Sequence, residues 1–275
     1  MTTIDVRRVA SQQLNRTIKD SADDCELTGC LGERFIGAGL GGKTLDVHGI
    51  PGNALGAYLD GATIRVFGNA QDAVGDTMNA GRVIIHGSVG DACGYAMRGG
   101  EIYVQGNAGY RAGVHMKAYG DTCPVMVIGG HAGSFLGEYQ AGGLIIVLGL
   151  EAAGKAASPV ASTPSTSSVA SATGTTPAAG APCAGPSVPH PIVSNFPCTG
   201  MHGGKVILRG TCEGVRFPEQ LDVRPATTDD LAQAAPYVRN YGAFFDADPA
   251  EILAGPYTVV SPRQSNPYNS FYVGN

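Results

Sequence analysis

A glycine returns every 19 residues at Gly37, Gly56, Gly75, Gly94 and Gly113, and after a five-residue insertion it returns again at Gly137. A period of this length marks a solenoid or array, because one such unit cannot bury its own apolar face and must lend it to a neighbour. The clearest unit runs from Gly94 through Tyr95-Ala96-Met97-Arg98-Gly99-Gly100-Glu101-Ile102-Tyr103-Val104-Gln105 to Gly106. A late copy, Cys198-Thr199-Gly200-Met201-His202-Gly203-Gly204, carries cysteine in the leading slot.

The columns of the repeat have separate physical roles. Three residues after the leader stands a large apolar side chain (Leu40, Leu59, Met78, Met97, Met116, Met201), with Gln140 as the exception. Small residues such as Gly99-Gly100 and Gly142-Gly143 follow, and glycine tolerates the positive φ of a tight corner. Next comes an alternating run: Leu45/Val47, Ile64/Val66, Val83/Ile85, Ile102/Val104, Met126/Ile128, Ile145/Val147 and Val206/Leu208. Alternation with period two predicts strands. Leu55, Val74, Cys93, Ala112 and Leu136 form a further apolar column just before the leaders. A flexible glycine linker has no reason to hold such columns in register. The expected fold is all-β: a right-handed parallel β-helix of about seven 19-residue coils, with short helical caps at both ends. Its strands, about 4.8 Å apart, would stack into a rod on the order of 34 Å long. The glycine ladder Gly37, Gly56, Gly75, Gly94, Gly113 and Gly137 is read as structural.

Along the chain, residues 1–30 read as an N-terminal cap, with a weakly amphipathic helix from Val9 to Ile18. Residues 31–150 hold coils one to six, with the insertion near Lys117–Pro124. Residues 151–190 change character: Ala, Ser, Thr, Pro and Gly make up 33 of the 40. Too little apolar surface is present there to offset ordering entropy, so this is read as a flexible insertion. Residues 191–217 form coil seven. Residues 218–275 are a C-terminal helical cap and an extended tail. Thr227-Thr228-Asp229-Asp230 signals a helix start, and Leu231, Ala234, Ala235, Val238 and Tyr241 follow at helical spacing. A second short helix is expected at Pro249–Leu253.

Composition excludes several classes of function. Net charge is −5 with no Lys/Arg cluster, which disfavours nucleic acid. Neither a secretory leader nor an apolar run of about 18 residues is expected, so the chain reads as cytoplasmic with no membrane span. The seven cysteines form no CxxC pair, which argues against a zinc or iron–sulfur site here. Cys93 falls in an inward column. The run Gly37–Gly42 imitates a phosphate loop, but a dinucleotide site needs a strand before it and a helix after it, and here a strand follows. His48 and His86 share an outward column with Phe67 between them, two coils and about 9.6 Å apart, too far to share a metal. No triad or carboxylate pair can be argued from spacing, and no catalytic, cofactor or metal residue is assigned.

Between the inward positions lies an outward column: Asp46, Arg65, Ile84, Tyr103, Val127, Ile146, Ile207. Its apolar members (Ile84, Tyr103, Val127, Ile146 and Ile207) make a stripe that something must cover. Two covers are open at this point, the chain's own C-terminal segment or a second polypeptide docked as a partner.

The GxxMxGGxIxVxG pattern, together with the stretches Gly68–Gly75, Tyr95–Gly100 and Thr199–Gly204, resembles the C-terminal glycine-repeat β-helix domain of the glutamate synthase large subunit. More distantly it is similar to the glycine-repeat subunit of formylmethanofuran dehydrogenase. The likeness covers roughly residues 30–150 and 191–275. It implies a non-catalytic scaffold subunit of the N-methylglutamate synthase or split glutamate synthase type. The implied partners are a class II glutamine amidotransferase subunit and an FMN/iron–sulfur synthase subunit, in a hetero-oligomer. The N-terminal cysteine nucleophile of the amidotransferase, the flavin and the clusters are all expected on those partners. An alternative within the superfamily is a formylmethanofuran dehydrogenase-type scaffold. One of another class is a self-contained β-helix acyltransferase or lyase.

Overall fold

In the computed structural model, which describes residues 1–150 and 191–263, the alternating runs become the rungs of a parallel β-solenoid. They are β3 (Thr44–Ile50), β4 (Asp60–Phe67), β5 (Ala80–Ile85), β6 (Glu101–Val104), β7 (Val125–Ile128), β8 (Ala141–Val147) and β9 (Gly203–Arg209). Each pairs in parallel with the next, and the register follows the sequence period: Leu45 faces Ile64, Ile64 faces Val83, and Val83 faces Ile102. The insertion before Pro124 leaves this unbroken, because Ile102 still faces Met126. Every inward residue of these rungs is buried in one continuous core. The 151–190 insertion and the tail beyond Arg263 lie outside the described residues.

The stack is taller than the seven coils expected, with about eight turns. Two rungs lie inside the segment read as a cap: β1 (Thr2–Asp5) and β2 (Cys25–Leu31). Cys25 and Leu27 face Leu45 and Val47, and Ile4 faces Leu27, so they extend the inward columns downward. Helix α1 (Ser11–Asp20) closes this end by burying Leu14 and Ile18, one turn apart. Asn15 ties it to the first corner, donating to the Phe35 carbonyl (2.6 Å) and accepting from the Gly37 amide (2.8 Å). The Lys43 ammonium donates to the carbonyls of Ile18 (2.9 Å), Lys19 (3.0 Å) and Ser21, groups that the helix end leaves without intrahelical partners.

The corner before each strand from β3 to β9 uses a left-handed residue at the leader and others two places before and after it. In the sixth coil these are Phe135 (φ 63°), Gly137 (φ 63°) and Tyr139 (φ 53°). The leader must be glycine for a second reason. A Cβ on Gly75 would stand 2.5 Å from Ile102 Cδ1, and one on Gly113 would stand 2.4 Å from Ile145 Cδ1. In each case the next coil's strand fills the space. Cys198 holds this slot at φ 59° in the last parallel coil, where no further parallel strand follows.

Gln140 interrupts the Met column and is held by its own corner. Register shifts between Ala141 and Leu144 in β8, and the buried Gln140 amide donates to the carbonyls of Gly142 and Gly143, at 3.2 Å each. Its Oε1 has no hydrogen-bond partner.

A second, short parallel ladder holds the other side of the coils, through single bridges that join Ala70, Val89, Ala108, Ala132 and Val193 in turn. Side chains reinforce it. Asn69 Oδ1 accepts from the Ser88 amide (2.8 Å), Ser88 Oγ from the Asn107 amide (3.0 Å), and Asn107 Oδ1 from the His131 amide (2.8 Å). Asp72 and Asp91 do the same for the amides of Asp91 and Tyr110. Each bond joins one coil to the next, which stiffens the post.

At the far end the chain reverses. Strand β10 (Leu221–Pro225) leads into α2 (Thr228–Phe245) and α3 (Pro249–Leu253), and β11 (Tyr257–Pro262) returns between β9 and β10, antiparallel to both. The stretch read as the start of an extended tail is therefore a sheet strand. Val260 packs into the inner core and Val259 into the outer one.

Candidate functional site

The outward stripe is covered from within. Ile84, Tyr103, Val127, Ile146 and Ile207 are buried together with Ala234, Val238, Tyr241 and Phe245 of α2, in a core separate from the solenoid interior. The reading of the stripe as a subunit interface is thereby corrected. Helix α2 carries an apolar face at helical spacing, the sheet carries a matching stripe, and each buries the other. Polar contacts fix the helix in place. Tyr103 donates to Glu101 (2.9 Å), Asn240 donates to the Tyr103 hydroxyl (3.1 Å), and Tyr241 donates to the Gln105 carbonyl (3.1 Å). Burial raises the phenols of Tyr103 and Tyr241, the latter to about 12, so both remain protonated donors at neutral pH.

The N-terminus of α2 is pinned by Asp230. A capping box joins it to Thr227. Arg224 Nη1 of β10 lies 2.6 Å from its carboxylate and Lys205 Nζ of β9 lies 2.7 Å away. The Arg224 hydrogen bond, then those of Lys205 and Thr227, hold its carboxyl well below the usual range. With the side chain only 4% exposed, Asp230→Ala removes the capping box and two charge-assisted hydrogen bonds and should cost about 2–3 kcal/mol at neutral pH. A depressed folded pKa gives stability that is present above the unfolded value, near 3.9, and lost as pH falls below it. The gap between wild type and variant should therefore narrow in urea titrations at pH 3 relative to pH 7.

A surface cleft of about 460 Å³ lies lower on the post, lined by Thr63, Asn79, Arg82, Glu101, Thr122 and Cys123 among others. Its charges are already engaged with each other. Arg82 bonds Glu101 at 2.7 Å and stands 5.4 Å from the Phe244 ring. Burial raises the Cys123 thiol, the reverse of what activates a nucleophile. Cys93 and Cys198 are core residues whose thiols burial pushes up to about 12.

The outward histidines stack as the sequence column implies. His48 and Phe67 are 4.7 Å apart, Phe67 and His86 are 5.1 Å apart, and the edge of Phe245 meets His86. Burial, then Arg65, lowers the His86 pKa, so this ring is a neutral packing element at pH 7. His48 meets Glu26 at 3.2 Å. Among the described residues no group of three or more His, Cys, Asp or Glu is placed to hold a metal, and no helix is long and apolar enough to cross a membrane. The arrangement is a braced post whose buried polar groups serve the brace.

Known proteins share this pattern. The family model described as GXGXG motif matches residues 6–161. An uncharacterized protein of Methanocaldococcus jannaschii is 33% identical over 272 residues, covering 96% of this chain and 92% of the relative.

Proposed function

The chain belongs to the GXGXG motif family, and from that premise we propose that it is a non-catalytic scaffold subunit of a glutamate synthase-like complex. The complex is of the N-methylglutamate synthase or split glutamate synthase type and works in the cytoplasm. The scaffold holds a class II glutamine amidotransferase subunit and an FMN/iron–sulfur synthase subunit in register, so that ammonia or an amine released on one meets the acceptor on the other. FMN and the clusters belong to the synthase subunit.

One observation carries the reading. The described residues form one sheet of parallel rungs closed by helices and an antiparallel pair, and its buried carboxylates are both engaged within the fold, Asp46 with Arg65 and Asp230 with helix and strand. Such a body works by presenting fixed surfaces at fixed separations. The test is affinity purification of the tagged full-length chain from its own cells. A chain with an N-terminal cysteine and a yellow, flavin-bearing chain should co-purify in constant ratio. Recovery of a lone chain that turns over a substrate by itself would overturn the proposal.

A further inference from the structure

The corner edge of the post carries side chains that the fold itself does not require. Of the eight exposed large aromatic residues among those described, six lie within three positions of a leader: Phe35, Tyr58, Tyr95, Tyr110, Tyr139 and Phe196. Four of these (Phe35, Tyr58, Tyr139 and Phe196) are left-handed, with φ between 53° and 60°. A bulky side chain is strained in that region. The same corner columns hold Gly39 and Gly200 in other coils, so the backbone accepts a small residue there. Phe196 is nonetheless 63% exposed and Tyr58 is 58% exposed. Strain and exposed apolar surface together are not explained by stability. Helix α2 covers the outer sheet face and leaves this edge open.

The aromatics stand in order. His115 stacks on Tyr139 at 5.2 Å, and Phe135 stacks on Phe196 at 5.3 Å. Arg111 stands 5.4 Å from the Phe135 ring and pairs with Glu138. Midway along the edge the charge is of one sign. Asp72, Asp76 and Asp91 lie there, and residues 70–79 and 89–97 contain no lysine or arginine. A second copy docked through this edge would set carboxylates against carboxylates. Lysine or arginine side chains would instead meet the acids at the centre and the ring faces of Tyr58, Tyr95 and Tyr110 around them.

We propose that this aromatic edge docks a partner protein presenting lysine or arginine between apolar anchors. The inference rests on the scaffold reading and assigns the face by which the post is held.

The test uses the full-length chain and the partner subunits recovered with it. Replacing Tyr58, Tyr95 and Tyr110 together by serine should weaken binding at least about tenfold while the melting curve stays in place. The triple change Asp72→Asn, Asp76→Asn and Asp91→Asn keeps the acceptors, those of Asp72 and Asp91 for the next coil and that of Asp76 for Thr77, and removes the charge. It should flatten the salt dependence of binding. Wild-type affinity and salt dependence in both variants would overturn the inference while leaving the scaffold reading standing. Should wild type recover no partner subunit, the scaffold reading fails and this inference with it. A photo-crosslinking benzoylphenylalanine in place of Tyr95 needs no triple variant to fold. It should label a Lys- or Arg-bearing peptide of a partner subunit. Label found on a second copy or on this chain's own residues would count against the proposal.

Discussion

Ile146→Asp should destabilise the chain by at least about 4 kcal/mol and release α2 before it releases the rungs. Ile146 is wholly buried between the sheet and the helix. A carboxylate there must either be protonated in place or expel the helix. Expelling the helix costs the burial of Ala234, Val238, Tyr241 and Phe245 but leaves the inner core intact, because inward and outward residues alternate along each strand. Hydrogen exchange should therefore show α2 amides losing protection while those of β5 to β8 keep most of theirs. Ile145→Asp, one residue away and facing inward, should expose both sets together. Uniform loss in the first variant would mean that the two cores form one cooperative unit.

That variant also marks where sequence reading stopped. The stripe Ile84, Tyr103, Val127, Ile146, Ile207 was legible as a surface needing cover, since period-two alternation assigns a face unambiguously. What covers it depends on where a segment about 100 residues later comes to rest. A signal was available: Leu231, Ala234, Val238 and Tyr241 made a helix with an apolar side and no other destination. The leader glycines and the inward columns were legible for the opposite reason, that each coil repeats the same local demand. Two parts escaped because their signals were weak alone. Cys25 and Leu27 sit 20 residues before Leu45 and Val47, nearly one period, but without a leading glycine. Strand β11 offers only four good strand residues between Pro256 and Pro262, and its pairing partners are distant. The second ladder keeps the 19-residue period at Ala70, Val89 and Ala108, but single small residues carry no alternation that would mark a strand. The strained aromatic corner was hidden too, since φ cannot be read from a tyrosine.

Gly81→Ala should be far more damaging than Gly42→Ala, although both are corner glycines with positive φ. Gly42 has φ 63° and nothing within 4 Å of where a Cβ would stand. Its alanine variant carries left-handed strain of about 1–2 kcal/mol, partly offset by about 0.4–1 kcal/mol from the stiffer unfolded chain. A net loss near 1 kcal/mol is expected. Gly81 has φ 96°, and its Cβ would meet the Ala62 carbonyl oxygen at 2.2 Å. That oxygen belongs to the backbone of the rung below, so no side chain can swing away. Relief requires separating two rungs, which breaks inter-coil bonds above and below, and a loss of about 3–5 kcal/mol follows. Urea unfolding with a constant m-value checks both numbers. The difference has a structural meaning beyond the two sites. Gly42 lies near the foot of the post, where its column is open, whereas Gly99, Gly142 and Gly203 higher in that column have backbone atoms 2.2 to 2.5 Å from a would-be Cβ. The same glycine is therefore a conformational convenience at the foot and a packing necessity above. Equal costs at the two positions would mean that the rungs can part locally, and a post that parts cannot hold two subunits at a fixed distance.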